Sequence, residues 1–405
     1  MQLKLDDISD LGQRFCVAVS GGADSLALCL LAQNWAEENG HTLVALSVDH
    51  GLRTEAAAEC QWVHETLADY GIEHHTLIWT GDKPVRAIQA AAREARYDLM
   101  GRWCKAQGIK DLLLAHHQDD QGETFLMRLA RGSGVDGLSA MQKVTYRGAL
   151  RLIRPLLDVP KAALKKYLQD RNQDWIEDPS NQNEAFDRVK MRNAMSSLAD
   201  VGLTPDRLAQ TALSMQRVRK TLEHFCQQWL FEHARLYEEG YVTLTTNALL
   251  DENEEIVLRG LSRIGQMVGG DIYPPRLEKL CRLHKTLSSG QDATLMGCRW
   301  MVTETEVLVC REIREKDVPE NLYDLDCATS LADMEMRVLG EDGWADVLAH
   351  ASEIDRRGLP MAVIYALVSF WDKQGVSAVP HLGYKRADVI FDAKLRFIPN
   401  LDRFS

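Results

Sequence analysis

Phe15-Cys-Val-Ala-Val19, Ser20-Gly-Gly-Ala-Asp-Ser25 and Leu26-Ala-Leu-Cys-Leu-Leu31 follow one another without a break near the start of the chain. The first is an apolar run of buried-strand length and the last opens an apolar helix, so the six residues between them turn a strand into a helix. Two adjacent glycines permit backbone conformations closed to other residues, which lets successive N–H groups face one concavity. The helix behind the turn adds unsatisfied N-terminal N–H groups and the positive end of its dipole. The hydroxyls of Ser20 and Ser25 add donors. Ser20, Gly21, Gly22, Ala23, Asp24 and Ser25 therefore form a candidate phosphate loop. It is neither a Gly-x-Gly-x-x-Gly dinucleotide turn nor a loop ending in Gly-Lys-Ser/Thr. The competing reading is a strand–helix turn whose glycines are only structural.

Outward from this turn, short apolar runs alternate with helical patterns. Leu43–Val48, His74–Trp79 and Asp111–Ala115 read as further strands. Helices are expected at about 55–70, from Pro84 to about 107, and at 121–130. Proline is well placed at a helix start. Strands alternating with helices imply βαβ units and an α/β, doubly wound, mainly parallel sheet. Such sheets bind ligands beyond the carboxyl ends of their strands. After residue 200 helical periodicity dominates, with a small hairpin at Thr294–Val302 and Glu306–Val309, a helix at Leu359–Trp371 and strands near Asp388–Phe391. The expected division is a catalytic domain at 1–200, a mostly helical domain at 201–315 and a small α+β unit at 316–405.

At 405 residues, 45% hydrophobic and 26% charged, the chain has the composition of an ordinary globular protein of two or three domains. The first ten residues carry acids and lack an apolar stretch, so no secretory signal is expected. No apolar run approaches the roughly 20 residues that span a bilayer. The nine cysteines never form Cys-x-x-Cys. Reduced thiols in a cytoplasmic protein are the expectation. A net charge of −12 argues against a nucleic-acid partner, but 17 Lys/Arg face 10 Asp/Glu between Phe125 and Lys220. That +7 segment leaves −19 on the rest of the chain. A local phosphate-binding surface and a solvated basic face are both consistent with it.

Ser-Gly-Gly-x-Asp-Ser after a strand resembles the PP-loop of the ATP pyrophosphatases, which cleave ATP between its α and β phosphates to adenylate carbonyl-like oxygens. Further motifs narrow the resemblance. Asp49-His50-Gly-Leu-Arg53 follows the second strand, and Ala92-Arg-Glu-Ala-Arg-Tyr97 lies on the long helix. His116-His117-Gln-Asp119-Asp120-Gln-Gly-Glu123-Thr124 follows the fourth strand. Arg131–Leu138, Arg154-Pro-Leu156 and Asp178-Pro-Ser-Asn181 come next, with Arg188 and Arg192 behind them. This ordered set is similar to the tRNA(Ile)-lysidine synthetase family, densely over Phe15–Asn193 and thinly beyond.

The resemblance implies a carbon–nitrogen ligase that uses ATP and Mg2+, with CAU-anticodon isoleucine tRNA and free L-lysine as substrates. It puts Asp24, Asp49, Asp119, Asp120 and Glu123 among the catalytic residues, with Asp120 as a Mg2+ ligand. His50, Arg53, His117, Asp178, Asn181, Arg188 and Arg192 fall toward tRNA or lysine. It admits a homodimer. Taken by residue type alone, Asp119, Asp120 and Glu123 suit Mg2+, the lysine ammonium or a proton, and equally the first turn of a helix. Lone histidines such as His50 are more often structural. Two features depart from the family pattern. Gly122 replaces the usual Ala, which should loosen the helix start, and Arg188-Val-Lys190 replaces Arg-Asn-Arg. The rival enzyme classes are tRNA thiolation, disfavoured because no cysteine falls in the motifs, and a small-molecule amide synthetase. The non-enzymatic rival is a tRNA- or nucleotide-binding module.

Overall fold

The computed structural model describes residues 1–398 apart from 6–7, 9, 53, 82, 85–87, 178–186, 251, 272, 314–321, 328–333 and 352. It divides into two compact units, 1–220 and 221–405.

The first unit opens with β1 (Arg14–Ala18), α1 (Ala23–Asn39), β2 (Thr42–Asp49), α2 (Ala56–Ala68) and β3 (Glu73–Ile78). Helix α3 (Ile88–Ala106) leads to β4 (Asp111–Leu113), α4 (Gln118–Ala130) and the short α5 (Val135–Leu138). The hairpin β5 (Val144–Arg147) and β6 (Leu150–Ile153) precedes α6 (Lys161–Gln169), α7 (Asp187–Asp200) and α8 (Pro205–His233), which runs on into the second unit. The six-stranded sheet has the order β3-β2-β1-β4-β6-β5. All pairings are parallel except β5 with β6.

Strand β1 is the pivot: the chain steps outward from it through β2 and β3, then returns to its other side as β4. The carboxyl ends of β1 and β4 therefore flank the topological switch point, where open α/β sheets bind ligands. Phe15, Cys16, Val17 and Leu112 are fully buried, as a central parallel strand covered on both faces requires. Leu26, Leu28 and Leu31 of α1 pack with Leu164 and Leu168 of α6 and Val63 and Leu67 of α2 on one face. Tyr97, Met100 and Cys104 of α3 cover the other. Burying each such Leu or Phe contributes about 1.5–3 kcal/mol. Sequence-scattered thiols meet here, for Cys16 and Cys104 lie with their Sγ atoms 3.7 Å apart.

Gly122 lies where α4 meets two neighbouring helices. A Cβ there would come 3.3 Å from Pro205 Cα and 3.4 Å from Met195 Cε, so the glycine lets the start of α8 and the side of α7 close on α4.

In the second unit, β7 (Ala234–Leu236) and β8 (Val242–Thr245) precede α9 (Glu254–Gly269) and α10 (Leu277–Ser288). Then β9 (Ala293–Leu295), β10 (Cys298–Val302) and β11 (Glu306–Arg311) complete an antiparallel sheet in the order β7-β8-β11-β10-β9. The expected hairpin is thus the middle of a five-stranded sheet, folded around the fully buried Trp300. Beyond it, β12 (Tyr323–Cys327) pairs with the last strand of the described chain, while β13 (Glu335–Val338) begins a four-stranded sheet. Helices α11 (Gly340–His350) and α12 (Met361–Ala366) lead into β14 (Val368–Asp372), β15 (Gly375–Val379), β16 (Tyr384–Lys385) and β17 (Ala393–Phe397).

The helix expected over Leu359–Trp371 is therefore α12 followed by β14. Val368-Ser-Phe-Trp-Asp pairs with β13 on one side and β15 on the other, and this ladder overrides the local helical pattern. The strands expected near Asp388–Phe391 fall instead at β16 and β17. Between them Arg386 binds Asp372 and Asp388, and the Val389 N–H donates to the Arg386 carbonyl in a turn.

Candidate functional site

The Ser20–Ser25 turn leaves β1 at its carboxyl end. Gly21 takes φ +83°, a conformation that favours glycine, and a Cβ there would lie 2.6 Å from Ile176 Cδ1. The Ile176 N–H donates to the Gly21 carbonyl over 2.9 Å, fixing the turn from above. Inside it the Ser20 N–H donates to Ser25 Oγ (3.1 Å), and Ser25 Oγ donates to the Gly22 carbonyl (3.0 Å). Gly22 is the N-cap of α1 and receives no side-chain cap, leaving that helix end to a ligand or solvent.

Strand β2 ends beside it, with Asp49 and His50 turned into local contacts. Asp49 Oδ1 accepts from the Gly51 N–H (2.8 Å) and His50 Nδ1 from the Leu52 N–H (3.1 Å). Deeper between β1, β2 and β3 runs a polar chain. Ser47 Oγ donates to the Val19 carbonyl, His74 Nε2 lies 2.8 Å from Ser47 Oγ, and His74 Nδ1 lies 3.3 Å from His64 Nδ1. Because Val19 O only accepts, Ser47 spends its proton there, so His74 carries its proton on Nε2. Burial, with His64 and His75 nearby, pushes His74 down to about 4, so it is neutral near pH 7.

The second wall of the crevice comes from β4. His117, only 2% exposed, caps α4. Its Nδ1 accepts from the Asp120 N–H (3.3 Å), while the His117 N–H donates to Asp120 Oδ2 (3.0 Å), a reciprocal capping box. The other ring nitrogen, Nε2, lies 3.5 Å from both Asp24 Oδ2 and Asp120 Oδ2. Burial opposes charge on His117, but the bond to Asp24 and the charges of Asp120 and Asp24 outweigh it and raise the imidazole above its ordinary value. Burial would raise Asp24, yet His117 and Lys161 together hold its carboxyl below the ordinary range.

A third helix end joins these two. Asp119 Oδ2 accepts from the Lys161 N–H at the start of α6 (2.9 Å), and Lys161 Nζ lies 3.4 Å from Asp24 Oδ2. Glu123, 2% exposed, accepts from Arg192 Nε over 2.7 Å. Asp24, His117, Asp119 and Asp120 thus meet around the phosphate-loop candidate, with the Glu123–Arg192 pair one turn further along α4. Arg53, Asp178 and Asn181 lie outside the described residues, as does the side chain of Arg188. The basic segment is partly spent within its own unit, in pairs such as Arg151–Asp111, Arg147–Glu94 and Arg219–Asp136.

Asp24 Oδ1 is buried with no hydrogen-bond partner among the described residues. Such an oxygen, together with the Asp120 carboxylate that also faces His117 Nε2, is a donor set suited to a hard cation such as Mg2+. Among the described residues no group of three or more His, Cys, Asp or Glu side chains forms a metal cage.

Lys161 escaped the sequence reading. Its only signal was position: the first helical residue after Pro160, behind a strand that proves to neighbour β4.

A glycine phosphate turn at the switch point of a parallel sheet, walled by a capped His–Asp cluster, defines a PP-loop ATP-using enzyme. A family model described as a PP-loop domain matches residues 2–198. The tRNA(Ile)-lysidine synthase of Ruegeria pomeroyi is 34% identical, covering 92% of this chain and 89% of its own. That of Rhodopseudomonas palustris is 46% identical, covering 67% of this chain and 79% of its own. That of Wolbachia pipientis is 36% identical, covering 76% and 72%. The chain belongs to the tRNA(Ile)-lysidine synthase family.

Proposed function

We propose that this enzyme uses ATP to adenylate the wobble cytidine of CAU-anticodon isoleucine tRNA at its carbon 2 oxygen, releasing pyrophosphate. The ε-amine of L-lysine then attacks carbon 2 and displaces AMP. The product is lysidine, which changes both the codon read and the amino acid carried. The observation that carries this reading is the meeting of Asp24, in the Ser20–Ser25 turn, with the His117–Asp120 cap at the switch point.

The turn's N–H groups and the open end of α1 hold the nucleotide phosphates. Asp24 and Asp120 hold Mg2+, which supplies charge neutralisation of those phosphates when bound. His117 positions both carboxylates by capping one helix and facing the other. Asp119, committed to the Lys161 N–H, is a positioning residue. The lysine ε-amine has an ordinary pKa near 10.4 and must be neutral to attack. A carboxylate base or a desolvated pocket meets that need, and Glu123 is the most buried candidate for the lysine end. His50, Arg53, Asp178, Asn181, Arg188 and Arg192 complete the substrate side, with Asp49 at the edge of the crevice. Residues 201–315 and 316–405 serve tRNA binding, and the enzyme works in the cytoplasm.

ATP–pyrophosphate exchange tests this. The wild-type chain exchanges only with tRNA present and incorporates labelled lysine, and Asp24→Ala loses both while remaining folded. Wild-type turnover in Asp24→Ala overturns the phosphate-site reading. A silent wild-type protein favours a binding module, and incorporated sulfur favours thiolation.

A further inference from the structure

Helices α1, α4 and α6 begin within contact of one another: Asp24 of α1 touches His117 at the start of α4 and Lys161 at the start of α6, and Asp119 of α4 caps Lys161. A helix N-terminus carries partial positive charge and favours anions. Asp24, Asp119 and Asp120 match that field. Lys161 opposes it, since an ammonium in the first turn is disfavoured by about 0.3–1 kcal/mol.

The pairing of Lys161 is also less close than that of Arg192. Arg192 binds the buried Glu123 at 2.7 Å, the close contact of a built charge-assisted bond. Lys161 lies 3.4 Å from Asp24 Oδ2, the same oxygen that faces His117 at 3.5 Å, while Oδ1 has no hydrogen-bond partner among the described residues. One third of the Lys161 side chain remains exposed. Asp24 Oδ2 is thus divided between His117 and Lys161.

From these contacts we propose that Lys161 is a phosphate ligand of the Ser20–Ser25 turn, for which Asp24 is only the resting partner. A lysine ammonium is a compact point charge that binds phosphate without the fixed fork of arginine. A nucleotide phosphate in the turn offers it a fuller negative charge than half of one carboxylate oxygen. The inference rests on the ATP reading above and adds to it a residue from a third strand–helix connection.

Calorimetric binding of α,β-methylene-ATP with Mg2+ to the full chain tests it, with thermal unfolding recorded for each variant. Lys161→Gln and Lys161→Met are both made, so that a folded neutral variant is in hand. In that variant the dissociation constant rises about tenfold or more, while Lys161→Arg stays within about threefold of wild type. Unchanged affinity in a folded neutral variant overturns the proposal, and so does an equal loss in Lys161→Arg. In both cases wild-type binding leaves the ATP reading standing. A wild-type chain that does not bind the analogue overturns both.

Discussion

Asp24 and His117, at the starts of helices that follow the adjacent parallel strands β1 and β4, face each other with Oδ2 and Nε2 3.5 Å apart. The contact joins the phosphate turn to the acid cluster and makes the two halves of the crevice electrostatically one unit. It also shifts both groups toward charge: Asp24 is lowered and His117 raised.

The pH dependence follows from those directions. A raised His117 binds its proton more tightly folded than unfolded, so its stabilisation is complete below the ordinary 6.5 and is lost as pH rises through the folded value. A lowered Asp24 stabilises above its ordinary 3.8 and loses that as pH falls. Protonation also costs His117 its Nδ1 acceptance from Asp120 and turns that nitrogen toward Asp119 Oδ2, 3.7 Å away. His117→Asn keeps a capping acceptor but removes the charge. Its unfolding free energy is therefore flatter than wild type as pH rises above 6.5, measured by urea denaturation over a pH series. An equally steep slope in the variant would assign the pH dependence elsewhere.

The two loop glycines respond differently to substitution. Gly21→Ala forces a left-handed alanine, costing about 1–2 kcal/mol, and drives its Cβ into Ile176 and Val63. It lowers the melting temperature and weakens nucleotide binding together. Gly22→Ala sits in extended backbone, its new Cβ no closer than 3.7 Å to Ser20 Oγ, and leaves the stability within about 0.5 kcal/mol of wild type. Differential scanning calorimetry on the pair separates the two.

Arg192 and Arg188, one turn apart on α7, divide their effects. Arg192→Ala removes the 2.7 Å charge-assisted bond to the buried Glu123 and destabilises the chain by about 1–2 kcal/mol, and Arg192→Lys restores part of it. Arg188→Ala weakens tRNA binding and makes its salt dependence shallower, as loss of one phosphate contact does. Filter binding over a salt series and chemical denaturation distinguish the two. An unchanged salt slope would remove Arg188 from the tRNA surface.

The first unit was legible because its signals are local. A buried strand, paired glycines and a helix start lie within Phe15–Leu31, and each acts through its immediate neighbours. The His117–Glu123 stretch was legible as a cluster but not as separate jobs, since Asp119 is set by α6 and Glu123 by Arg192, contacts 42 and 69 residues away. Lys161 was invisible for the same reason: its meaning comes from β6 lying beside β4. Gly122 read only as a helix weakness, because its close approach to Pro205 is a long-range contact. In the second unit, β7 and β9 are three residues each, too short for a period to show. Val368–Asp372 became a strand only because β13 and β15 flank it.

Mass spectrometry of the nucleosides of CAU-anticodon isoleucine tRNA, incubated with the full chain, ATP, Mg2+ and L-lysine, tests the central claim most directly. Lysidine replaces the wobble cytidine, with AMP formed in equal amount, and neither product forms when ATP or lysine is omitted. An unmodified cytidine with ATP intact, or a thiolated base, would contradict it.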